Sequence, residues 1–173
     1  MNFSFEKTLE ILKQTPGVLD SYLIGKSDDW LLSNEGEGTW NIYQIIDHLI
    51  EGERTNWMPR TRIFLGLEGD ASKLFPPFDR EANMGGEQSI EDRLAAFRKL
   101  REDNLTELKR LIKSDEDFNL KAQHPAFGEV SLRQMLATWA VHDLTHIAQI
   151  TRVFAGHYRE DVGPWEEYLG VLR

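Results

Sequence analysis

Apolar positions recur at helical spacing in four stretches of the chain, separated by three regions that hold no sustained period. In the first stretch Phe5, Leu9 and Leu12 share a face. The pattern is interrupted at Thr15-Pro16, where the fixed φ and missing N–H of proline predict a helix end and the start of a second, short helix through Leu23. Ser33-Asn34-Glu35-Gly36-Glu37-Gly38 reads as a loop. Thr39 is the expected N-cap of the next helix, in which Ile42, Ile45, Ile46 and Leu49 form the apolar side, and Pro59 should kink or end its later part. Residues 68–88, with Pro76-Pro77 and Gly85-Gly86, predict a long connection of the kind that often serves function in compact domains.

Ser89 with Asp92 opens a third helix, periodic through Leu94, Phe97, Leu105, Leu108 and Ile112. A loop containing Pro125 and Gly128 follows. Ser131 with Gln134 forms a capping-box signature for the last long helix, Gly156 should end it, and Pro164 should start a short turn at Trp165. No repeat and no sustained strand pattern is present. The expected fold is all-α, a four-helix bundle with long connecting loops, in one domain covering 1–173.

Charge and composition narrow the function classes. A net charge of −9 over 173 residues argues against affinity built on nucleic-acid phosphates and against polybasic membrane attachment. The chain has no cysteine, so a metal must be held by histidine and carboxylate, and no protein thiol can act as nucleophile. The segment Met1–Lys7 lacks a basic region followed by an apolar run, and no window approaches the ~20 apolar residues of a membrane span. A soluble, cytoplasmic protein with neither nucleic-acid nor membrane partners is expected.

The candidate chemistry lies on two of the helices. His142 and His146, four apart, fall on one narrow face with Met135, Trp139, Gln149 and Val153, a spacing that suits two imidazoles converging on one ion. In the second pattern His48 borders the apolar side among Asn41, Gln44, Ile45, Gly52 and Thr55, and Gly52 one turn later should leave space beside the imidazole for a water or ligand. A third nitrogen from His48 would give the ligand count of a catalytic site with an open position. Alternatively each histidine is a hydrogen-bonded core or rim residue, the simpler reading for His48 alone. His124 and His157 fit solvated or capping roles.

Glu51, one turn from His48, is a candidate fourth ligand or general base, or else an exposed carboxylate. Arg101 and Asn104 fall among Leu94, Leu105 and Leu108 on an apolar face, where an unpaired charge is costly. Either they offer a cation and an amide to the anionic group of a substrate, or Arg101 forms an internal salt bridge or snorkels. With Trp139 and Gln149 they make up the candidate substrate-binding set. Asp143 points about 100° away from His142 and is better suited to bond a neighbouring helix.

The segment Trp40-Asn41-Ile42-Tyr43-Gln44-Ile45-Ile46-Asp47-His48-Leu49, followed by His142-Asp143-Leu144-Thr145-His146-Ile147-Ala148-Gln149-Ile150, resembles the DinB/YfiT-like superfamily of bacterial metal-binding four-helix proteins, which is distinct from the DNA polymerase sharing the DinB name. The likeness extends over nearly the whole chain. It implies an up-down-down-up bundle, metal ligands His48, His142 and His146, one divalent ion (Zn, Ni, Fe or Mn) per chain, and a homodimer. Characterised relatives include thiol transferases using bacillithiol, mycothiol or glutathione and an isomerase using mycothiol. The expected activity is therefore metal-dependent S-transfer onto a small-molecule substrate with a low-molecular-weight thiol as cosubstrate. A metal-dependent hydrolase needs the same ligands, and a noncatalytic, stress-associated metal-binding dimer is the alternative from another class.

Overall fold

The computed structural model describes residues 3–173. Met1 and Asn2, which open the segment expected to lack a leader, lie outside them. The first helix, α1 (Phe5–Leu23), is capped by Ser4, whose hydroxyl accepts the Lys7 N–H at 3.3 Å. It runs unbroken through Pro16, contrary to the expected interruption. A proline inside a helix deprives the carbonyl four residues back of its donor. Here that is the Leu12 carbonyl, and Arg101 Nη1 donates to it at 2.8 Å from a neighbouring helix. The backbone defect is thereby turned into a tertiary attachment.

Replacing a mid-helix proline by alanine ordinarily gains about 3 kcal/mol. In Pro16→Ala the restored N–H competes with Arg101 for one carbonyl, so the gain in urea unfolding should fall well short of that figure. A full gain would show that the attachment contributes nothing.

After a short helical turn, α2 (Asp28–Leu31), the helix α3 (Ile42–Glu51) begins at Asn41 rather than Thr39. The Asn41 side chain accepts the Gln44 N–H at 3.0 Å and Gln44 Oε1 accepts the Asn41 N–H at 2.9 Å. This reciprocal box satisfies two orphan donors and outcompetes Thr39, whose hydroxyl bonds the Gly36 carbonyl within the loop. The helix continues through a π-helical segment, Gly52–Asn56, into α4 (Trp57–Phe64). Pro59 stands in the first turn of α4, and the irregularity lies ahead of it, on the side where the proline ring crowds the preceding turn.

Helices α5 (Ile90–Leu111) and α6 (Leu132–Gly156) start at the expected caps, with Ser89 accepting the Asp92 N–H and Ser131 accepting the Gln134 N–H. Gly156 ends α6, and a 3-10 turn at Gly163–Tyr168 contains Pro164 and Trp165. Between α5 and α6 lies an antiparallel hairpin that the pattern did not announce, β1 (Lys121–His124) and β2 (Gly128–Ser131), with Lys121 opposite Ser131 and His124 opposite Gly128. Strand β1 is four residues long and buries only Ala122, too short and too polar a stretch to stand out as a strand in the sequence.

The core has two ends. One collects Leu12 of α1, Met58 and Phe64 of α4, Leu105 and Leu108 of α5, and Leu136 and Trp139 of α6. The other collects Leu19, Leu23, Ile42, Ile45, Ile46, Leu94, Phe97, Ile150 and Val153. Helices α1 and α6 therefore run one way while α3–α4 and α5 run the other, which is the up-down-down-up order. Because α4 and α5 follow one another in the same direction, the chain must return along the bundle between them. That return is the long connection over residues 65–89. It is tied to the hairpin where the Phe75 N–H donates to the Gln123 carbonyl at 2.9 Å and the Gln123 N–H to the Lys73 carbonyl at 3.0 Å. Among the described residues no helix is long and apolar enough to cross a membrane.

Candidate metal centre

Helix α3 delivers His48, and successive turns of α6 deliver His142 and His146. Their ring nitrogens lie within 4.8 Å of one another, with His142 Nε2 2.9 Å from His48 Nε2 and 3.2 Å from His146 Nε2. The opposite nitrogens of two rings are engaged: His48 Nδ1–H donates to the Arg80 carbonyl at 3.1 Å and His146 Nδ1–H to Gln149 Oε1 at 2.9 Å. Those bonds fix both tautomers and leave two bare Nε2 lone pairs aimed at the third ring. One proton on His142 can satisfy only one of them, whereas a single cation satisfies all three nitrogens. Tetrahedral bonds of about 2.0–2.1 Å would set such nitrogens about 3.3 Å apart, near the separations seen. His142 Nδ1 is buried without a partner. The donor set therefore fits a divalent ion of the zinc, nickel or iron type.

Aromatic rings wall the site. Trp40 lies 4.7 Å from His48 and 6.3 Å from His146, Phe78 lies 5.7 Å from His48, and Trp57 meets His142 edge-on at 5.2 Å while stacking on Trp139 at 5.5 Å. Burial in these surroundings pushes the His48 imidazole down to about 4. Burial and the two adjoining imidazoles push His142 down to about 3. His146 is lowered as well, again chiefly by burial. All three rings are thus neutral and ready to ligate at ordinary pH.

The other candidates are distributed differently. Gly52 does not open space beside His48: a Cβ there would meet Trp57 Nε1 at 3.1 Å, because the π turn folds the indole back onto it. Glu51 is buried rather than exposed and its Oε2 accepts from Asn83 at 3.0 Å; it is not part of the three-histidine cluster. Gln149 serves His146.

Arg101 is 1 % exposed and engages both oxygens of Asp143, at 2.6 and 3.0 Å, together with Glu53 Oε1 at 2.8 Å. Asn104 donates to the Glu53 carboxylate and carbonyl, both at 2.9 Å, and Trp139 Nε1 donates to Glu53 Oε1 at 3.0 Å. Arg101, Asn104 and Trp139 thus converge on a buried carboxylate beneath the histidines. His124 accepts backbone N–H groups at the hairpin tip, and His157 bonds Ser33, both apart from the centre.

Sequence reasoning missed Glu53, Trp57, Arg80 and the buried ion pair of Asp47 with Arg93 at 2.7 Å. Arg93 at the start of the third helical pattern and Asp47 beside a candidate ligand were the available signals, since both share faces with apolar residues.

Two helices of a four-helix bundle, α3 and α6, present three neutral, converging imidazoles that could hold a metal ion. The family model for the DinB superfamily matches residues 11–150, and the chain belongs to that superfamily. Among solved structures it is similar to YfiT from Bacillus subtilis, with a TM-score of 0.73 and 20% identity over 88% of each chain. YfiT is described as a probable metal-dependent hydrolase with an unusual four-helix bundle topology. Among curated proteins none matches the sequence.

Proposed function

We propose that the protein is a divalent-metal-dependent enzyme that transfers a low-molecular-weight thiol onto a small electrophile, with His48, His142 and His146 holding one ion per chain. The observation that carries this reading is the convergence of three Nε2 atoms, two of them with their tautomers fixed from behind. An ion held there would supply Lewis acidity, lowering the pKa of a thiol brought to the site. The thiol sulfur then forms a bond to the electrophilic carbon as the leaving group departs with its electron pair. We assign Glu51 the role of proton acceptor: it is buried one turn from His48, and Asn83 holds one of its oxygens. The aromatic walls give the site apolar surroundings that suit a thiol ligand.

A hydrolase, with water in the place of the thiol, is the second reading, and the description of YfiT favours it. Elemental analysis of protein purified without a tag should give one divalent ion per chain. His48→Ala, His142→Ala and His146→Ala should each reduce metal affinity by more than the roughly 10–100-fold typical of second-shell changes, with helical circular dichroism retained, whereas His124→Ala and His157→Ala should leave it intact. Conjugation of a thiol to 1-chloro-2,4-dinitrobenzene that His48→Ala abolishes supports transfer. Thiol-independent cleavage of a nitrophenyl ester would move the assignment to hydrolysis, and a fully loaded protein inert in both assays would refute catalysis.

A further inference from the structure

The connection between α4 and α5 crosses the metal centre under restraint. On one side Phe75 is buried and bonded to the hairpin. On the other, Asn83 donates to Glu51 at 3.0 Å and the Gly85 N–H donates to Asp47 at 3.0 Å. Between these fastenings the Arg80 carbonyl accepts from the His48 imidazole at 3.1 Å. The Arg80 backbone is therefore fixed within one side-chain length of the ligand set.

The guanidinium of Arg80 is exposed and, among the described residues, makes no ion pair or hydrogen bond. Its flanking carboxylates do not take it up: Asp79 accepts the Glu81 N–H at 3.0 Å, and Glu81 makes no ion pair. The buried arginines are consumed, Arg93 by Asp47 and Arg101 by Asp143 and Glu53. An exposed guanidinium whose backbone is anchored beside the ligand set can receive an anionic group of a ligand seated there.

We propose that Arg80 is the anion-recognition residue of the metal centre, taking the carboxylate of a small thiol whose sulfur reaches the open position. A guanidinium suits this role because its planar fork matches a carboxylate in two parallel hydrogen bonds. The inference rests on the proposed function for the thiol, while the carboxylate subsite follows from Arg80 itself.

The test uses the cobalt-loaded protein, in which a sulfur–cobalt charge-transfer band reports thiol binding. 3-Mercaptopropionate and 3-mercaptopropan-1-ol are titrated in parallel. Arg80→Gln retains the carbonyl that holds His48 and should weaken mercaptopropionate roughly tenfold, about the size of one charge-assisted hydrogen bond, with mercaptopropanol and cobalt affinity unchanged. Arg80→Lys should recover part of the loss. Equal changes for both thiols, or none for either, would overturn the assignment. If loaded protein shows no charge-transfer band with either thiol, the thiol reading fails; propionate, followed through the cobalt d–d bands, then makes the same comparison, and Arg80→Gln must still weaken it. A chain that takes up no cobalt overturns both readings.

Discussion

Arg101→Met should destabilise the fold by roughly 3–5 kcal/mol in urea unfolding, the usual cost of removing one partner from a buried ion pair. The guanidinium ties α1 through the Leu12 carbonyl, the π-helical segment through Glu53 and α6 through Asp143, while itself standing on α5. Methionine retains much of the stem packing beside Phe97 and Trp139 but leaves two carboxylates, each 0 % exposed, without a counter-charge. Burial already pushes the Glu53 carboxyl up with Arg101 present, so in the variant it should take up a proton. Replacing Asp143 with leucine in the same chain should restore part of the loss, because a buried charge disappears with its unmet partner. An Arg101→Met protein that unfolds like the parent would show that the ion cluster does not hold the helices together.

Metal affinity of the folded protein should stay nearly constant between about pH 7 and about pH 5, then fall as pH passes the folded-state values of about 4 for His48 and about 3 for His142. Apo stability should behave differently. Unfolded imidazoles titrate near 6.5, so below that pH the unfolded chain binds protons that the folded chain refuses. The unfolded state then binds more protons, and stability falls with pH by a few kcal/mol between about 6.5 and 4. Thermal melts at about pH 7 and about pH 5, with and without saturating metal, separate the two effects. The apo midpoint should drop on acidification while the metal-induced increment persists. An affinity that already declined tenfold per unit below pH 6.5 would mean that the rings are open to solvent.

Much of this was legible because it is local. The caps at Ser89 and Ser131, the end at Gly156, and the pairing of His142 with His146 depend on side chains within four positions of one another. His48 was legible as a candidate through its place beside an apolar face. The π turn was not, since a shift from the fourth to the fifth carbonyl leaves no mark in composition, and with it went Glu53, Trp57 and the role of Gly52. Pro16 misled because the rule against proline in helices assumes an unsatisfied carbonyl, and the donor comes from Arg101, 89 positions from Leu12. For Arg101 the sequence showed the problem, a charge on an apolar face, but not its answer, which lies on three other segments.

The up-down-down-up order also bears on when the site can exist. His48 and His142 are 94 positions apart, and the crossover and hairpin lie between them, so no early-folding fragment contains a complete ligand set. Synthesis from the N-terminus presents α3 long before the last helix, and a cation met by the nascent chain finds only one of the three candidate ligands. Capture of an ion by these three ligands would therefore be a late event on an assembled bundle, expected to slow unfolding while leaving the rate of folding alone.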